Sequence, residues 1–231
     1  MKVAIVIPGL IRHTDQTYNS FYDNVIKANK DCDVDVYLAF WDKTHIRGGN
    51  NTPSSIKEVD PTKILELYNP VDHIILDYDS TQLKFLEKAK FLYSSFPTPY
   101  GNVEFFRNAI ISQFYTWKQV VNLIPSTKNY DLVLKTRFDL KHTSPINFLE
   151  LTPSSMSVGD KWGGEEFCDW SFVSTYENMV DVLNQCYDKI NQSSFVSSLK
   201  KRATPEIILT KIINELNIPI DYNLILYKLI K

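Results

Sequence analysis

The chain has 231 residues, 44% of them hydrophobic and 23% charged, and a formal net charge of −2. That is enough chain for one α/β domain with a sizeable core, and the near-neutral balance argues against a nucleic-acid partner. Cys32, Cys168 and Cys186 form no CxxC pair, and none of the histidines stands at zinc-finger spacing, so the cysteines read as reduced thiols of a cytoplasmic protein.

In chain order, Val3–Pro8 (VAIVIP) is a continuous apolar run stopped by Pro8-Gly9. This is the pattern of a strand buried on both faces rather than of a signal peptide. Gln16–Ala28 has helical spacing, with Phe21, Val25 and Ile26 on one side. Val34–Trp41 predicts a second strand. Asp42–Pro61 is polar and carries Gly48-Gly49-Asn50-Asn51, which predicts a long mobile loop. A short helix over Thr62–Tyr68 follows, then a third strand over His73–Tyr78 and a helix over Thr81–Tyr93. Val103–Leu123 is apolar at helical spacing, and Tyr130–Lys135 predicts the fourth strand.

Strand–helix alternation up to Lys135 predicts a mostly parallel sheet with helices on both faces. Beyond Asp139 the extended pieces MSVG, DWSFVS and NLILYKLI are short, with helices predicted between them over Tyr176–Ile190 and Pro205–Leu216. The expectation is a single α/β domain over 1–231, with a Rossmann-like half over 1–140 and an irregular half over 141–231. No stretch approaches the roughly 20 apolar residues of a membrane span.

In such sheets ligands lie outside the carboxyl ends of the strands. Those ends carry Pro8, Gly9 and Arg12; Trp41 and Asp42; Asp77-Tyr78-Asp79; and Thr136-Arg137-Phe138-Asp139. The set suits an anionic, ring-containing ligand. The order IVIPGLIR, DVYLAFW, SQFYTWKQV, YDLVLKTRFDL, DWSFVSTYENM, PEIILTKIINEL resembles glycosyltransferases of the GT-A type. Within these it resembles sugar-transferase-like proteins of bacterial capsule and lipopolysaccharide clusters and of large DNA viruses. The resemblance spans Ile5 to about Leu216.

It implies a glycosyltransferase of glycan biosynthesis, moving sugar from a UDP- or GDP-type nucleotide-sugar donor to a glycan hydroxyl acceptor. Residues 1–140 would form the nucleotide-binding half and 141–231 the acceptor half. The family normally carries Asp-x-Asp after its fourth main strand, holding Mg²⁺ or Mn²⁺ across the donor's two phosphates. Here the motif is Arg137-Phe138-Asp139. Asp139 matches the second, metal-holding carboxylate, and Arg137 stands at the first.

Each candidate has a plainer reading beside it. Arg137 grips phosphate through its bidentate fork, or it pairs locally with Asp139, which then caps the next turn. Pro8, Gly9 and Arg12 form the loop that approaches the nucleotide, glycine permitting close backbone contact; alternatively Arg12 is a solvated turn residue. Trp41 stacks on a base and Asp42 binds a ribose hydroxyl or base N–H, or they are a core Trp and a turn Asp. Asp169, in GGEEFCDWSF, is the first choice as base for the acceptor hydroxyl, with Trp170 as acceptor wall. Its plainer reading is a solvated acidic loop shared with Glu165 and Glu166. Glu206 is the alternative base, or simply an acidic residue in a helix's first turn.

Ser112-Gln113 matches an SQ pair of the family, although Gln113 reads as structural. The Asp77–Asp79 stretch comes too early in the order and reads as a turn. His13 and His142 read as exposed turn residues. Two other functions compete. A nucleotidyltransferase is disfavoured by the single glycine of PGLIRH, and a non-catalytic nucleotide- or glycan-binding module is favoured by Arg137. The absence of GxGxxG after the first strand counts against a dinucleotide fold.

Overall fold

The computed structural model describes residues 1–47, 53–81, 84–85, 103–159, 161–162, 166–199, 204–222 and 227–229. A seven-stranded sheet runs through both halves of the chain. The apolar VAIVIP run forms β1 (Lys2–Gly9), flanked in parallel by β2 (Asp33–Trp41) and β6 (Leu132–Lys135), with β5 (Asp72–Leu76) parallel outside β2. On the other side of β6, β11 (Phe172–Ser174) runs antiparallel to it and to β8 (Met156–Val158), and β12 (Ile220–Tyr222) closes that edge in parallel with β8. The order is β12-β8-β11-β6-β1-β2-β5.

The period-two alternation of each central strand feeds two separate cores. Ala4, Val6, Tyr37, Ala39, Trp41 and Val133 point to one face. Val3, Ile5, Ile7, Leu38, Phe40, Leu132 and Leu134 point to the other. The second face is covered by α1 (Thr14–Phe21), which continues through a π turn over Tyr22–Ile26, and by α2 (Pro61–Tyr68). The first is covered by α3 (Val103–Val121), α4 (Tyr176–Ile190) and α6 (Pro205–Glu215), with α5 (Ser193–Ser198) beside α4. Both faces being covered explains why β1 is apolar throughout rather than alternating.

Shorter pairs complete the fold: β3 (Lys43–Arg47) with β4 (Pro53–Glu58), β9 (Lys161–Trp162) with β10 (Glu166–Phe167), and β7 (Leu140–His142) with β13 (Tyr227–Leu229). The β3–β4 hairpin corrects the expectation of a loop over 42–61. Its alternation is polar, so hydropathy did not mark it. The helix expected over Thr81–Tyr93 falls largely outside the described residues. Among the described residues no helix is long and apolar enough to cross a membrane.

Two features of this topology position the site. The chain leaves β1 toward β2 and β5, then returns through α3 to β6 on the opposite side of β1. The carboxyl ends of β1 and β6 therefore lie side by side where the strand order reverses, the place where α/β sheets bind ligands. In addition, antiparallel β11 starts where β6 ends, with Phe172 opposite Lys135. The residues just before β11 are thus carried to the same edge.

Candidate functional site at the carboxyl ends of β1 and β6

Strand β1 ends at Gly9, whose φ of +124° is a conformation that side chains avoid. A Cβ there would meet nothing within 4 Å, so the backbone angle rather than crowding calls for glycine. Three residues on, Arg12 brings a guanidinium nitrogen to 3.8 Å from Asp139 Oδ2.

Beyond β6 the chain is pinned segment by segment. The Thr136 N–H donates to the Val6 carbonyl at 3.0 Å. Phe138 packs edge-on against Phe40 and Tyr68, and its carbonyl accepts from the Thr17 hydroxyl of α1. With Phe138 anchored inward, Arg137 and Asp139, two apart, meet each other. Arg137 Nε donates to Asp139 Oδ1 and Nη2 to Oδ2, both at 2.8 Å. This local ion pair is the plainer of the two readings of the motif, realised as a bidentate fork. Burial pushes the Asp139 carboxyl pKa up, but the charge and fork of Arg137, with Arg12 behind them, hold it below the usual carboxylate range. Burial likewise opposes the Arg137 charge, and Asp139 more than offsets it.

Lys135 was not singled out from the sequence as a site residue, yet it is the most unusual group here. It closes an apolar strand and is fully buried. Its ammonium donates to the backbone carbonyls of Asp169 and Trp170 and lies 4.2 Å from the centre of the Trp117 ring. Burial pulls its pKa down to about 7, against the raising influence of the Asp169 carboxylate. An ammonium against an aromatic face in a run of aliphatics is a signal that hydropathy averages away.

Asp169, the sequence's first choice as base, lies at this edge and is only 2% exposed. It is therefore not part of a solvated acidic loop. Its Oδ2 accepts a hydrogen bond from Gln113 Nε2 of α3, while Oδ1 is buried with no hydrogen-bond partner among the described residues. A buried carboxylate oxygen without a donor is costly. Gln113, read as structural, is thus the side chain that orients Asp169.

Other candidates fall elsewhere. Trp41 is a core residue, 1% exposed, with Tyr115 stacked on it at 6.1 Å and Tyr78 and Phe85 edge-on. The stacking expected of it is satisfied by protein aromatics rather than by a base. Asp42 closes the β2–β5 edge, its Oδ1 accepting the Tyr78 N–H at 2.9 Å. Asp77 accepts from the Ser80 N–H just ahead of a helical stretch over 78–81, and Asp79 within that stretch pairs with Lys43, so the turn expected here is the start of a helix. His142 corrects the expectation of an exposed residue. It is 1% exposed on β7, 3.2 Å from the Thr136 hydroxyl, and burial lowers its pKa to about 4. His13 stands in the left-handed region at the start of α1. Glu206 sits in the first turn of α6, behind the Thr204 cap. One turn on, the Thr210 hydroxyl accepts the Phe167 N–H and ties that helix to β10. Glu165 lies outside the described residues.

The residues present do not fit a divalent cation at Asp139. Both of its oxygens are engaged by Arg137, and Arg12 adds a second guanidinium. Like charges about 4 Å apart repel by about 4 kcal/mol per unit pair near a protein surface, so a doubly charged ion there would have to displace Arg137. Among the described residues no group of three His, Cys, Asp or Glu side chains stands ready to ligate a metal.

No protein-family model and no curated protein matches the sequence. Among solved structures the chain is similar to mouse xyloside xylosyltransferase 1 in its apo form, at 8% identity and a TM-score of 0.44, over 96% of this chain and 85% of that one. It is also similar to the galactosyltransferase LgtC in complex with donor and acceptor sugar analogues, at 11% identity and a TM-score of 0.49, over 96% of this chain and 73% of that one.

Proposed function

We propose that the protein is a glycosyltransferase that moves a sugar from a UDP- or GDP-type nucleotide donor to a glycan hydroxyl. The observation that carries this reading is Asp169: a buried carboxylate with one oxygen oriented by Gln113 and the other unpartnered. It lies at the strand ends where Arg12 and Arg137 gather positive charge. An acceptor hydroxyl donating to Asp169 Oδ1 would supply the missing hydrogen bond, and the carboxylate would take its proton as the hydroxyl oxygen bonds to the anomeric carbon. The bond from that carbon to the donor phosphate would break in the same step, its electron pair leaving on the nucleoside diphosphate. The donor's phosphates would lie toward Arg12 and Arg137, on the β1 side of the same edge. The order of sequence motifs resembling GT-A enzymes points the same way.

Thermal unfolding in the presence of UDP, GDP and NAD tests the nucleotide half of this reading. A ligand at a hundred times its dissociation constant stabilises the native state by about 2.7 kcal/mol. We expect UDP or GDP to raise the midpoint and NAD to leave it in place. Equal shifts with NAD, or no shift with either diphosphate, would refute it.

A further inference from the structure

We propose that the Arg12–Asp139–Arg137 cluster is a preassembled, metal-free binding site for a diphosphate. The inference deepens the nucleotide-sugar reading, on which it rests, by naming how the donor's charge is held. Its first support is what the cluster presents to solvent. The side chains of Arg12 and Arg137 are 17% and 19% exposed, while that of Asp139 is 6% exposed. Both arginine side chains are thus more open to solvent at the strand ends than the carboxylate they pair with.

The second support is the fork. Asp139 engages Nε and Nη2 of Arg137 at 2.8 Å each, which uses two of the five N–H donors of a guanidinium. The donors on Nη1 are not part of that fork. Asp139 thus fixes the plane of Arg137 without consuming it, and a planar guanidinium held in place is suited to paired phosphate oxygens. The third is the local charge. Arg12, Arg137 and Lys135 face the two carboxylates Asp139 and Asp169, and these groups act on one another electrostatically. Two permanent guanidinium charges already balance both carboxylates before Lys135 is counted. In enzymes that use Asp-x-Asp the cation offsets phosphate charge. Here an arginine occupies the position of the first carboxylate and supplies positive charge directly.

Titration calorimetry with inorganic pyrophosphate, UDP and GDP, first in EDTA and then with Mn²⁺, tests the proposal. We expect pyrophosphate and at least one nucleoside diphosphate to bind in EDTA, with affinity essentially unchanged by Mn²⁺. Loss of a charge-assisted hydrogen bond should weaken binding about tenfold or more in Arg137→Gln and in Arg12→Gln. The Arg12 variant leaves the Arg137–Asp139 fork intact and keeps the test open should Arg137→Gln fail to fold. Binding that requires Mn²⁺ would overturn the proposal, as would no binding in either condition or wild-type affinity in a folded variant. Pyrophosphate binding in EDTA without any nucleotide binding would uphold the anion site and count against the nucleotide-sugar reading instead.

Discussion

Lys135 shows how one residue can work against stability at a site. Its pKa in the folded protein is about 7, against about 10.4 for an exposed lysine. Between those values the unfolded chain binds a proton that the folded chain lacks, so stability rises with pH across the window, by at most about 1.4 kcal/mol per unit. Below about pH 7 the full cost of burying the ammonium is felt, and above the unfolded value it is gone. Lys135→Met keeps a long unbranched side chain against Trp117 and removes the proton. Urea unfolding of both proteins at pH 7, 8.5 and 10 should show the wild type gaining stability relative to the variant as pH rises. Parallel stability curves would contradict this placement of the charge.

At the scale of elements, α2 connects a sequence signal to the site. Asp60 accepts the Thr62 N–H at 3.0 Å, Pro61 occupies the first helical position, and Asn69 ends the helix in the left-handed region. The helix buries Ile64 and Tyr68, and Tyr68 packs on Phe138 between Arg137 and Asp139. Replacing an N-cap Asp with Ala costs about 1 kcal/mol. Asp60→Ala should lower the urea midpoint accordingly with an unchanged slope; an unchanged midpoint would show that the cap contributes nothing here. Caps and apolar runs of this kind are local, and so α2, α4 and α6 were legible in the sequence almost to the residue. The β3–β4 hairpin was not, because its strands are polar and no hydropathy pattern marks them, although its pairing is local. Asp169 and Arg137 were legible as residue types at suggestive places. The partners that give them meaning were not: Gln113 reaches Asp169 from 56 positions away, and Lys135 reaches the Asp169 carbonyl only because β11 runs antiparallel from the end of β6. Trp41 misled because a strand-end tryptophan looks the same in sequence whether it stacks on a base or on Tyr115.

For the whole molecule, a parallel sheet covered on both faces supplies the rigid frame, and its reversal point between β1 and β6 gathers the charged groups. The antiparallel return of β11 adds the Asp169 carboxylate on the other side of β6. The measurement that tests this account most directly is sugar transfer from a panel of UDP-, GDP-, CMP- and dTDP-sugars, with nucleotide release and donor affinity determined for wild type, Asp169→Asn and Glu206→Gln. The account predicts turnover of at least one donor by the wild type. Asp169→Asn should bind that donor normally but turn over about a hundred- to ten-thousand-fold more slowly, the usual worth of a general base. Glu206→Gln, altered only in a helix's first turn, should stay near wild type. Normal turnover by Asp169→Asn alongside loss in Glu206→Gln would move the base to α6, and release of no nucleotide from any donor would contradict the assignment as a transferase.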